Sequence, residues 1–221
     1  MKRVAKALWT RGFLRQIAKA GGPSIGAKEL HSAKARHTDV SRQSGLDGFA
    51  QFLFETILST AWVLEDHYAI PPHRSVALLG AALVANGQSV TKGLTALWLK
   101  LNRDPFAALQ RVTPQTRMRD IWGTTLEAEQ TVEDARINLT VTRCGFHDAF
   151  WQAGRSDLTS VLCRFDLHWH ETIHAANRGV SADRLSSIAH GAQACKFVYA
   201  RATQADAAEP SKPLSKQGNL L

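Results

Sequence analysis

The chain has 221 residues, 44% of them apolar, enough for one domain with a real core. Its net charge of +8 is uneven: residues 1–45 hold ten Lys/Arg against two acids, and residues 46–221 hold seventeen of each sign. No apolar run approaches the roughly 20 residues of a transmembrane helix, and the opening "MKRVAKALWTRGFLRQIAKAGG" carries charges throughout, unlike a secretory signal.

Residues 1–45 therefore read as a basic N-terminal extension. Trp9, Phe13 and Ile17 recur at helical spacing in its first twenty residues. Such a helix docks on the body of the protein, or touches an anionic membrane surface or an acidic partner. No nucleic-acid motif accompanies the charge, so no nucleic-acid partner is expected.

Residues 46–202 read as a single α+β domain. Its first part is helical. "GLDGFAQFLFETILSTAWVLEDHYAI" forms one long helix. "PPHRSVALLGAALVANG" opens on prolines and closes on Gly87, and "SVTKGLTALWLKLN" follows. "DPFAALQRV" has Asp104 as N-cap and Pro105 at the first helical position. Beyond residue 123 the period changes to two. In "ARINLTVTRC", Ile137, Leu139 and Val141 face one way, and Asn138, Thr140 and Thr142 the other. "TLEAEQTV" pairs with it across Glu133-Asp134. A short helix from Gly145 to Gln152 and a Cys163 helix come next, then strands "DRLSSIAHG" and "ACKFVYARAT" joined at Gly191. The order β-β-α-α-β-β predicts a small antiparallel sheet with helices on one face. Residues 203–221, rich in Ala, Pro, Ser and Lys, read as a disordered tail.

One motif calls for a metal. His170-Glu171-Thr172-Ile173-His174 matches H-E-x-x-H, which puts two His on one helix face for zinc and a Glu beside them as base. A catalytic zinc needs a third protein ligand. The metzincin extension would have Gly at 177 and His at 180, where the chain has Asn177 and Val180. Past His174 the only Glu is Glu209, in the tail. The peptidase reading is therefore discounted. His170 and His174 stay candidate ligands for a divalent metal such as zinc, against the blander reading of a solvated polar face.

At 100° per residue, Leu158, Leu162, Phe165, Trp169 and Ile173 make an apolar stripe on this helix, with Cys163, Asp166, His170 and His174 nearly opposite. Free Cys prefers burial, so Cys163 on the polar side marks a covered site. Each cysteine sits at a junction or beside one: Cys144 at a strand end, Cys163 on the next helix, Cys195 at the start of the last strand. With no CxxC pair, the three fit a reducing cytoplasm rather than a disulfide framework. The expectation is one shared site of Cys144, Cys163, Cys195, Asp148, Asp166 and His170, against the alternative that all three thiols are small buried hydrophobes.

"INLTVTRCGFHDAF", "LCRFD" and "GAQACKFVY", in this order, resemble the L-2-amino-thiazoline-4-carboxylic acid hydrolase family. That pattern has Thr-Arg-Cys ending a strand, an acid four residues on, Cys-x-x-Asp on a helix, and Gly-x-x-x-Cys-x-Phe in a terminal hairpin. Cys144, Asp148, Cys163, Asp166, Gly191, Cys195 and Phe197 match by position, over roughly residues 70–202. Asp148 stands for a Glu, Gly145 for a Pro, and Lys196 for an acid.

The resemblance implies hydrolytic opening of a small cyclic amidine to an N-carbamoyl product. A Cys thiolate activated by His would attack, or a metal held by Cys, Asp or His would activate water with Asp148 or Asp166 as base. Arg143 would pair with a substrate carboxylate. The alternative from another class is a non-catalytic module that binds a small ligand or a metal on the same scaffold.

Overall fold

The computed structural model describes residues 3–36, 39–40, 44–46, 48–113, 119–120 and 122–201. The tail expected at 203–221 lies outside these residues.

Helix α1 (Arg3–Lys19) packs along the long helix α4 (Pro72–Leu101) and buries Phe13 and Ile17 completely. Helix α2 (Ala27–Arg36) lies on α3 (Gly48–Trp62), which continues as a π-turn over Val63–His67. α3 is apolar nearly all round, with Phe54, Ile57, Leu58 and Ala61 buried, as a central helix must be. α5 (Pro105–Val112) starts as its sequence dictates: Pro105 leads the first turn, and Asp104 Oδ1 accepts from the Ala107 N–H at 3.0 Å.

Strands β1 (Leu126–Glu133) and β2 (Arg136–Cys144) form a hairpin across Asp134-Ala135. α6 (Gly145–Gln152), α7 (Thr159–Asp166) and α8 (His168–Ala176) follow, then β3 (Val180–Ser186) and β4 (Cys195–Arg201). The sheet order is β1-β2-β4-β3, every pair antiparallel. This is the α+β arrangement expected, a helical half followed by a small antiparallel sheet.

Two apolar clusters result. One joins α1, α3, α4, α6 and α7 around Phe54, Leu79 and Phe150. The other lies under the sheet, where Ile137, Leu139 and Val141 meet Phe106, Leu109 and Ile173 of α5 and α8. The alternation in β2 is borne out residue by residue.

Two helix boundaries differ from expectation. Gly87 does not end a helix; α4 runs on for 30 residues. The reason is tertiary. A Cβ at Gly87 would sit 3.7 Å from the Phe165 ring, and Gln88 Nε2 donates to the Phe165 carbonyl at 3.4 Å, so α7 packs directly over this turn. Packing carries the helix through glycine's low propensity. Conversely, the single Cys163 helix is two, broken at Leu167. His168 Nδ1 donates to the Phe165 carbonyl at 2.9 Å, so a side chain takes an acceptor at the break. The break matters because it re-aims α8 onto the sheet.

The loop into α7 is pinned. Arg155 donates to both Glu65 oxygens at 2.9 Å and to Asp157 Oδ1 at 3.0 Å, in a largely buried fork. It fastens the π-turn after α3 to the segment that delivers Cys163.

Candidate functional site

A cavity of about 210 Å³ opens at the seam between the two clusters. Leu53 and Phe146 come to its wall from the helical side, and Leu139, Val141 and Tyr199 from the sheet. Set into this apolar wall are Cys144, Cys163, Cys195, Asp166, His170 and Arg184. The volume is below the roughly 300–1,000 Å³ typical of pockets for drug-sized ligands, so the space suits a small molecule and excludes a peptide.

Each polar group has a structural reason for its place. Cys144 is the last residue of β2 and the N-cap of α6. The chain can turn there because Gly145 has no side chain: its N–H donates to the Thr125 carbonyl at 2.7 Å, and a Cβ would stand 2.9 Å from that oxygen. Proline at 145 would lose this hydrogen bond and add the clash. Gly145→Pro should therefore destabilise the protein by about 3 kcal/mol, read as a lower urea midpoint at unchanged m-value.

Cys195, Phe197 and Tyr199 alternate inward along β4, so Lys196 points to the opposite face and is exposed. The lysine that stands where the family pattern has an acid thus puts no charge into the cavity. Arg184 reaches the wall from β3 beside Phe197, at a β-bulge between residues 184 and 186. Its Nη1 donates to the Cys163 carbonyl at 3.5 Å. Among the described residues no carboxylate lies within ion-pair distance of it.

The three sulfurs differ in their surroundings. Cys195 Sγ accepts from the Ile188 N–H at 3.3 Å. Cys144 Sγ faces the backbone N–H groups of His147 and Phe146 at the start of α6. Among the described residues no hydrogen bond reaches Cys163 Sγ, which lies in the field of Arg184 and Asp166. Burial dominates both shifted thiols: it pushes Cys144 from 9.0 up to about 11 and Cys163 from 9.0 up to about 12, with Arg184 opposing at Cys163.

Asp166 lines the cavity and is exposed by surface area, although protein crowds round it. Burial raises its pKa, against the pull of His170, His168 and Arg184. His170 is buried, stacked with Tyr199 at 6.0 Å and tilted on Phe197 at 5.5 Å between ring centroids. Burial lowers its pKa, against the Ala182 carbonyl and Asp166. Both shifts favour the uncharged form. The His170 Nδ1 is buried without a hydrogen-bond partner among the described residues.

The Asp166 shift carries a stability consequence. Its folded pKa is raised above 3.8, so its contribution is fully present below that pH and is lost as pH rises through the folded value. Asp166→Asn should therefore raise Tm at neutral pH, and the gap to wild type should close in scans below about pH 3.8.

The other expected site residues lie elsewhere. Asp148 and Arg143 pair with each other at 3.0 Å, and Arg143 also meets Glu127 at 3.3 Å; neither is in the cavity wall. Both acids hold the Arg143 guanidinium at the surface. His174 donates from Nε2 to the Ala182 carbonyl at 2.8 Å, and lies 3.9 Å from Asp183. His170 and His174 belong to no group of three His, Cys, Asp or Glu placed to hold a metal among the described residues. Arg184 was not singled out from the sequence. Its signal is the inward register Val180, Ala182, Arg184, which is readable only once β3 starts at Val180.

The fold and cavity define an α+β protein with a small, thiol-lined, apolar pocket that holds one carboxyl, one imidazole and one guanidinium. The model of the L-2-amino-thiazoline-4-carboxylic acid hydrolase family matches residues 51–199. The chain belongs to that family. No curated protein and no solved structure matches it. No helix of the described residues is long and apolar enough to cross a membrane.

Proposed function

We propose that the protein hydrolyses a small cyclic amidine bearing a carboxylate, opening an aminothiazoline to an N-carbamoyl thiol. The observation that carries this reading is the meeting in one small cavity of Cys163, Asp166, His170 and Arg184, which among the described residues has no carboxylate partner.

Arg184 grips the substrate carboxylate in a water-poor setting, where a charge-assisted fork is strongest. That places the amidine carbon over Cys163. The thiol attacks this carbon, and its proton passes to the Asp166–His170 pair, which lies three and seven residues further along the chain. The bond from the amidine carbon to the ring sulfur breaks, and that sulfur leaves with the proton. Water then attacks the resulting isothiourea, the carbon–Sγ bond breaks, and Cys163 recovers its proton. One water is consumed, and the product is the urea with a free thiol. The high pKa of Cys163 requires that proton transfer accompany attack, since almost no free thiolate exists at neutral pH.

The test is direct: purified protein with L-2-amino-thiazoline-4-carboxylate, followed by thiol release. The second reading, a binding module, is favoured by the same raised thiols, which are poor nucleophiles at rest. It predicts saturable binding of that compound with no thiol released.

A further inference from the structure

The two helices α1 and α4 carry many cations and no acid. α1 has five Lys/Arg and α4 three, and neither has an Asp or Glu. They pack antiparallel: Asn86 Nδ2 donates to the Trp9 carbonyl at 3.1 Å, and Gly22 lies beside Leu78. The first turns of α1 thus come level with the stretch of α4 that begins near Val90.

This end of the pair exposes large apolar side chains. Val4 is 70% exposed and Leu8 65%, while Val90, Leu94, Leu97 and Leu101 are 65%, 62%, 53% and 74% exposed. The α4 residues follow 4-3-4 spacing, a continuous stripe along one face. Monomeric soluble proteins rarely leave such a stripe bare unless it meets a partner or a membrane. The other side of α1 is already spent on the core through Phe13 and Ile17. Continuing along the outer face of α1 from Val4 and Leu8 come Arg11, Arg15 and Lys19, all exposed. Among the described residues no acid within ion-pair distance of these three is found. Lys100 adds an exposed cation beside the α4 stripe.

We propose that this face, the outer sides of α1 and the C-terminal half of α4, binds an anionic lipid surface in the plane of the membrane. Charge decides the occupant. A second copy docking through the same patch would set Arg11, Arg15 and Lys19 against cations. An anionic bilayer accepts both the apolar ridge, at the headgroup boundary, and the cations beside it. The helices lie on the bilayer and do not cross it, since neither meets the length and hydropathy of a span.

The experiment is cosedimentation of the full chain with two kinds of vesicle, pure phosphatidylcholine and phosphatidylcholine with about one third phosphatidylglycerol. The expected result is binding to the anionic vesicles alone, released by roughly 0.5 M salt. The double variants Leu8→Asp/Leu94→Asp and Arg11→Glu/Arg15→Glu should each weaken partitioning about ten-fold or more. All four positions are exposed, so far-ultraviolet circular dichroism should match wild type. Failure to bind anionic vesicles, equal binding to both kinds, or binding untouched by both variants overturns the proposal. So does a dimer at sedimentation equilibrium that Leu94→Asp dissociates, which would make the ridge a protein interface.

Discussion

Cys163→Ser should reduce thiol release from L-2-amino-thiazoline-4-carboxylate by about 10³-fold or more, with little change in binding. A serine hydroxyl keeps the size and hydrogen-bonding capacity of the side chain. It removes the sulfur in the cavity that, among the described residues, no backbone N–H holds and that lies in the field of Asp166. Serine's alkoxide is far harder to form than a thiolate, and the His170 imidazole, whose pKa burial lowers, is a weak base for it. Cys195→Ser should cost much less. The Cys195 sulfur accepts from Ile188 N–H at 3.3 Å and sits in the sheet as part of the wall. If all three cysteines behaved alike, the account would have the wrong nucleophile. Quenched-flow mass spectrometry of wild type offers a second readout, since the isothiourea adduct on Cys163 adds the mass of the whole substrate.

Arg184→Ala should lower kcat/KM by roughly 100-fold, about 2.7 kcal/mol of lost binding in the transition state. The effect should fall mainly on KM, because the guanidinium holds the carboxylate in ground state and transition state alike. The decisive control is 2-aminothiazoline, which lacks the carboxylate. Wild type should turn it over as poorly as Arg184→Ala does, so the two deletions should not add. Arg143→Ala, by contrast, should leave kinetics within about two-fold, since Arg143 is tied to Asp148 and Glu127 outside the cavity and an exposed pair contributes little.

Much of this architecture is legible in the residues. β2 writes its period of two plainly because one face is buried and the other is not; Ile137, Leu139 and Val141 could hardly be read otherwise. The Asp104-Pro105 start of α5 is equally local, a cap and a preset φ within two residues. The cysteines could be placed at junctions, and strand ends and helix starts meet at a sheet seam, which is where the cavity lies.

What could not be read depended on partners distant in sequence. Gly87 has the local signature of a helix end, and it fails because Phe165 packs over it. The break at Leu167 is set by the His168 ring reaching the Phe165 carbonyl, a choice the apolar period does not encode. His170 and His174 both lie on α8, beyond that break, where His170 packs on the aromatic wall of β4 and His174 donates to the Ala182 carbonyl. Arg184 was hidden for a simpler reason. A cation on a short strand looks like solvent-facing polarity until pairing with β4 sets it beside Phe197, facing in. Arg143, expected to pair with a substrate carboxylate, is turned outward by the alternation of β2 and is exposed.

The measurement that bears most directly on the account is thiol release from L-2-amino-thiazoline-4-carboxylate by wild type, Cys163→Ser and Arg184→Ala side by side, with binding of the same compound followed by calorimetry. The account predicts turnover by wild type alone, retained binding in Cys163→Ser, and weakened binding in Arg184→Ala. Wild-type binding without any thiol release would contradict it and make the cavity a ligand-binding site that performs no hydrolysis.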